Sequence, residues 1–164
     1  MLWRTHFVGG ALAGTGAALL FHYDPLLFAG VAGFASLLPD LDSPKSFVGR
    51  EVWPASAGVD YALGHRGPLH SFAGAALFSL LTQFLLRRYH LPLELLWGTV
   101  AGYVSHLFLD TLNSGARGIP LLWPLKWRLQ LPLVRTGSAF ERLAFYPLAA
   151  IAVWALLTAK GVIS

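Results

Sequence analysis

Imidazoles and carboxylates recur along this chain at spacings that suit metal binding. His106 and Asp110, in Ser-His-Leu-Phe-Leu-Asp, stand four apart. On a helix they share one face, a turn apart, and can reach one ion. Asp40 and Asp42 lie two apart between Pro39 and Pro44. Proline ends a helix and stiffens the turn after it, and Asp-x-Asp turns clamp divalent cations. His65 and His70 straddle Gly67-Pro68, so a bend there lets them converge. Arg66 lies beside His65, and its guanidinium matches the geometry of a phosphate oxygen pair. His6 opens the first apolar stretch. Glu141 opens the last, where it is a cap following Ser138, a ligand or a general base. Each piece alone has a plainer reading: a His–Asp hydrogen bond, a solvated turn, an interfacial histidine. Together they suggest metal-assisted hydrolysis.

The elements that must position these groups are five apolar stretches, at about 7–21, 25–39, 69–86, 92–112 and 143–159. A spanning helix needs roughly 20 apolar residues. The last three approach that length. The first two are short and glycine-rich and read as a packed hairpin turning at His22-Tyr23-Asp24-Pro25. No small-x-small cleavage site follows the first stretch, so it reads as a helix rather than a signal peptide. The expected fold is an all-α polytopic membrane bundle of about five transmembrane helices, residues 1–164 forming one integral membrane domain. Polar segments 43–64 and 113–140 are its loops. Trp123 and Trp127 with Lys126 and Arg128 have the make-up of an interfacial anchor.

With the N-terminus in the cytoplasm, inner segments carry nine Lys and Arg against three outside, as the positive-inside tendency requires. The C-terminus is then periplasmic or extracellular. In this arrangement His6, Asp40, Asp42, His65, His70, His106, Asp110 and Glu141 all fall at the cytoplasmic level. Hydrocarbon tolerates ionisable groups only when they pair, bind an ion or line a wet cavity.

The 164 residues are 55% hydrophobic and 12% charged, about half the charged fraction of a soluble domain. The net charge of +4 is scattered and does not suit a nucleic-acid partner. Cysteine is absent, which excludes disulfides and thiolate ligands. A metal here uses imidazole and carboxylate donors, a set that suits zinc or manganese.

Thr-His-Phe-Val-Gly-Gly-Ala, Leu-Leu-Pro-Asp-Leu-Asp-Ser-Pro, Gly-His-Arg-Gly-Pro-Leu-His-Ser, Gly-Tyr-Val-Ser-His-Leu-Phe-Leu-Asp-Thr-Leu and Gly-Ile-Pro-Leu-Leu-Trp-Pro follow one another over roughly residues 5–125. In that order they resemble the YdjM-like family of predicted membrane-bound, metal-dependent hydrolases. The resemblance implies an inner-membrane location and makes His6, Asp40, Asp42, His65, His70, His106 and Asp110 the family's polar positions. Glu141 has no clear counterpart. The expected function is hydrolysis of a phosphoester in a lipid or lipid-linked substrate by metal-activated water. One or two divalent ions would serve, with Arg66 gripping an anionic oxygen. The alternatives are a structural ion site without catalysis and a metal or proton transporter, the latter expected to carry polar groups through the whole depth of the bundle.

Overall fold

The computed structural model describes residues 1–63, 67–114 and 118–161. They form α1 (Trp3–Phe21), α2 (Pro25–Ala35), a 3-10 turn (Leu38–Asp42), α3 (Phe47–Glu51), α4 (Trp53–Leu63), a second 3-10 turn (Pro68–His70), α5 (Phe72–Arg88), α6 (Leu95–Thr111) and α7 (Ala139–Ala159). Among the described residues the only β pairing is two isolated bridges, Asn113–Val134 and Ile119–Leu129. The all-helical class is as expected from the sequence.

Local chemistry sets the helix ends. α1 stops where His22 turns left-handed (φ 59°), and the Asp24 side chain caps α2 by accepting the Leu27 amide at 2.8 Å, with Pro25 at the first helical position. Pro39 cannot continue α2, because its ring would meet the carbonyl four residues back. The chain therefore tightens into the 3-10 turn that carries Asp40 and Asp42. Ser71 caps α5, and Ser138 caps α7 by accepting the Glu141 amide.

α1, α2 and α6 cross closely through small residues. A Cβ on Gly10 would come within 2.6 Å of the Ala32 carbonyl, and one on Gly102 would collide with the Ala32 backbone. Ala32 is fully buried at this three-helix crossing. Tyr103 and Leu107 of α6 continue the core downward and enclose Ile119. Of segment 113–140, expected as a loop, residues 118–138 form no helix but are pinned to the bundle, and α7 already begins at Ala139. Leu131 and Leu133 amides reach the Thr111 and Leu112 carbonyls, and the Phe72 amide reaches Leu121. Trp123 and Trp127 are about half exposed.

Two expectations are revised. Segment 43–64 is not irregular: it holds α3, capped by Ser46, and α4. Its alanine-rich second half forms a helix without the long apolar run that marks the others. Second, among the described residues two stretches are long and apolar enough to cross a membrane, 25–42 and 139–159, rather than five. α5 and α6 have 17 residues each, about 25 Å at 1.5 Å per residue and shorter than the roughly 30 Å hydrocarbon core. The 19-residue α1 is diluted by Gly, Thr and His.

Candidate metal centre

α1 and α7 begin, α2 and α6 end and α5 begins at the same end of the bundle. Each brings a polar group. His6 comes from the first turn of α1, Asp40 and Asp42 from the turn after α2, His70 from the turn before α5, and His106 and Asp110 from the last turns of α6. The four groups His6, His70, His106 and Asp110 are each 1% exposed or less, and so is Asp42; Asp40 is only partly covered.

The histidines are held from behind. His70 donates from Nδ1 to Asp42 Oδ2 at 3.0 Å, and His106 donates from Nδ1 to the Ser36 carbonyl at 2.6 Å. Both partners are acceptors, so both protons sit on Nδ1 and each Nε2 carries its lone pair inward. The two Nε2 atoms face each other at 3.3 Å. Asp110 Oδ2 lies 3.6 Å from His70 Nε2 and 4.0 Å from His106 Nε2, and Asp40 Oδ1 lies 3.8 and 4.0 Å from the same atoms. Electron pairs thus converge on one small volume, an arrangement that a cation relieves.

His6 extends the set on the other side of Asp110. Its ring stacks on His106, centroids 3.8 Å apart, and its Nε2 is 3.3 Å from Asp110 Oδ1. That approach is close but lies off the hydrogen-bond direction, and neither buried ring nitrogen has a hydrogen-bond partner. A buried polar atom left so costs about 1–3 kcal/mol. The α-amino group of Met1 also lies 2.9 Å from Asp110 Oδ1.

The donors fit a divalent ion. Ligands at the 2.0–2.1 Å typical of zinc–imidazole bonds, set tetrahedrally, stand about 3.3 Å apart; the His70–His106 and His6–Asp110 separations are both 3.3 Å. Two groups of three donors can each hold an ion: His6–His106–Asp110 and Asp40–His70–His106. A divalent ion would satisfy the His6 ring and the inward lone pairs of His70 and His106 together.

Of the residues singled out in the sequence, His6, Asp40, His70, His106 and Asp110 come together. Asp42 reaches the set through the far side of His70, the place of a carboxylate that orients a ligand. His65 and Arg66 lie outside the described residues. Glu141 is buried, but its Oε1 accepts the Leu2 amide and its Oε2 the Gly137 amide, both at 2.7 Å. These bonds tie α7 to the N-terminal segment, and no described contact sets Glu141 against the imidazoles. Sequence reading missed Ser36. Its contribution is a backbone carbonyl, which every residue has, so no residue-type signal could have found it.

A cavity of about 290 Å³ opens beside the set, lined by Asp40, Ser43, Lys45, Thr136 and the stacked rings of Trp3 and Phe47. Asp40, with a side chain 18% exposed, joins the two.

The sequence pattern of the YdjM inner membrane protein family matches residues 1–163. The chain is 41% identical over 123 residues to inner membrane protein YdjM of Escherichia coli, covering 72% of this chain and 61% of that protein. It is 35% identical over 144 residues to YvsG of Bacillus subtilis, covering 87% and 86%. A third relative, inner membrane protein YbcI of Escherichia coli, is 35% identical over 103 residues, covering 60% and 53%. The chain thus spans about six-tenths of the length of the Escherichia coli YdjM protein. No solved structure matches. A buried His/Asp set able to hold a metal ion therefore sits at the shared end of the helices of a chain that belongs to the YdjM inner membrane protein family.

Proposed function

We propose that this protein is a membrane-embedded, metal-dependent hydrolase, acting on a phosphoester of a lipid or lipid-linked substrate at the cytoplasmic face. The observation that carries the reading is the inward convergence of the His70 and His106 Nε2 atoms, 3.3 Å apart, on the Asp40 and Asp110 carboxylates. His6, His70, His106, Asp40 and Asp110 hold the ion or ions, zinc or manganese by donor type. Bound there, a divalent ion supplies Lewis acidity and an acidified water. Asp110 would serve as a ligand from either side, since its Oδ1 lies by His6 and its Oδ2 by His70 and His106, so the donor set would accommodate one ion or two.

The remaining groups bind and orient. Asp42 and the Ser36 carbonyl hold the tautomers of His70 and His106. The cavity beside Asp40 admits substrate, and Lys45 on its wall supplies a cation for an anionic phosphate. That opening supports catalysis over a closed structural ion site. A transporter finds less support, because the far halves of the apolar segments carry few polar groups, Thr82 and Gln83 the main exceptions.

The test is purification in detergent, elemental analysis, then assay of phospholipid phosphoesters with and without chelator. Stoichiometric zinc or manganese and chelator-sensitive cleavage are expected. Well-folded protein with substoichiometric metal overturns the reading.

A further inference from the structure

α7 buries only Glu141 along its length, and the side it turns to the bundle meets α1. Two hollows follow one another along that seam. At the end that carries the His/Asp set lies a niche of about 70 Å³, lined by Arg4, Thr5, Arg142, Phe145 and Tyr146. Farther along, an apolar slot of about 180 Å³ runs between Val8, Ala11 and Thr15 of α1 and Ala149, Ala152 and Leu156 of α7. On both helices the residues recur three or four apart, so niche and slot lie in line on one face of each helix.

The niche is built for an oxyanion. Arg4 stacks over the Phe145 ring at 5.9 Å, and Arg142 donates from Nε and Nη2 to the Gly137 carbonyl, which orients its guanidinium. Among the described residues neither arginine has a carboxylate within 4 Å; the ion pairs lie elsewhere. Thr5, only 7% exposed, also lines the niche, and its buried Oγ1 has no hydrogen-bond partner. Two exposed guanidiniums without a carboxylate partner and a hydroxyl without a hydrogen bond together suit a phosphate; Arg142 has its Nε and Nη2 on the Gly137 carbonyl and keeps Nη1 for a ligand. The slot shows what the phosphate is attached to, since its walls accept hydrocarbon.

We propose that the α1–α7 seam binds one anionic phospholipid, its phosphate between Arg4 and Arg142 and an acyl chain along the slot. A choline headgroup would bring a third cation to a site that already has two unpaired ones, so the seam prefers a lipid of net negative charge. The proposal is independent of any chemistry at the metal centre. Its structural consequence is local: the Leu2 amide bond to Glu141 joins the same two helices beside the niche, and His6 follows Thr5 directly.

The experiment is native mass spectrometry of the full chain in detergent. The probes are phosphatidylglycerol, phosphatidylcholine with the same chains, and inorganic phosphate. One phosphatidylglycerol is expected per chain, held about tenfold tighter than phosphatidylcholine, the factor that about 1.4 kcal/mol of repulsion between the choline cation and the two guanidiniums would give. The Arg4→Gln/Arg142→Gln pair should erase that preference. Ala152→Phe, which fills the slot, should weaken phosphatidylglycerol and leave inorganic phosphate unchanged. Equal retention of the two lipids overturns the proposal, as does inorganic phosphate competing at the same concentration as phosphatidylglycerol. Should the double variant not fold, the single variants Arg4→Gln and Arg142→Gln decide: each removes one cation, and an undiminished preference for phosphatidylglycerol in both overturns the proposal.

Discussion

Both ends of the bundle carry histidine and aspartate, under opposite physics. At one end His6, Asp42, His70, His106 and Asp110 are dry, and their nitrogens and oxygens converge. At the other, His22 and His90 sit in left-handed turns on the surface. There Asp24 pairs with Lys160 at 2.6 Å, with side chains 47% and 39% exposed. The residue types are alike. What differs is whether backbone closes over them. Where Gly10 and Gly102 let three helices meet at Ala32, side chains beneath are shut away from water and must satisfy one another or an ion. Where the hairpin merely turns, water does that work, and an ion pair adds little.

Experiments can break or sharpen that contrast, beginning with the largest effect. His106→Ala removes the donor common to both ligand groups. Bound metal should fall by more than about 100-fold in affinity, beyond the loss seen when only a supporting residue is removed. Retained stoichiometric metal in that variant, read by elemental analysis, would erase the distinction between the two ends. Asp42→Asn leaves every inward donor in place but weakens the hold on His70. Metal affinity should drop about 10- to 100-fold, measured by competition with a chelator of known affinity, and an unchanged value would make Asp42 an ordinary buried acid.

Gly102→Val tests the packing that closes the dry end. The added side chain meets the Ala32 backbone, which cannot move aside cheaply. Overpacking of this kind costs about 1–3 kcal/mol, so a lower melting temperature in detergent should accompany reduced metal content. If the melting temperature falls and the metal stays, the crossing does not position the set. Lys160→Gln, at the wet end, should change neither measurement appreciably. The Lys160 ammonium beside Asp24 holds that carboxyl below the usual carboxylate range, with the Leu27 amide assisting. A lowered folded-state value means that the pair's contribution is fully present above the unfolded value of about 3.9 and is lost as pH falls through the folded one. Because the pair is exposed, the melting temperatures of wild type and Lys160→Gln should differ little, and because its contribution is fully present above about pH 3.9 that small difference should stay constant between pH 7 and 5. A large difference, or one that changes across that interval, would show the wet end to be less solvated than its exposure implies.

Much of the candidate site was legible in residue types. The polar members stand at the ends of apolar runs, and the end of a run sets the depth of a side chain in the bundle. That is why His6, Asp40, His70, His106 and Asp110, scattered over 105 positions of chain, could be expected at one level. The prolines around Asp40 marked the turn that ends α2, and Ser138 marked the start of α7. Less legible were α3 and α4, whose alanine-rich segment lacks a long apolar stripe, and the number of crossing helices, because 17-residue helices fall between buried and spanning lengths.

By itself, the amino-acid order determined the donor chemistry, the helical class and the shared end at which the ionisable groups gather. These follow from composition, from the lengths of apolar runs and from local rules of capping and proline geometry. Only the tertiary structure decided which face of each ring looks inward. Asp42 behind His70, the Ser36 carbonyl behind His106 and the Glu141 carboxylate on the Leu2 amide are contacts between segments 28 to 139 residues apart. They depend on how closely α1, α2 and α6 cross. That closeness is a property of the packed helices together, since a glycine permits an approach but cannot name the partner that makes it.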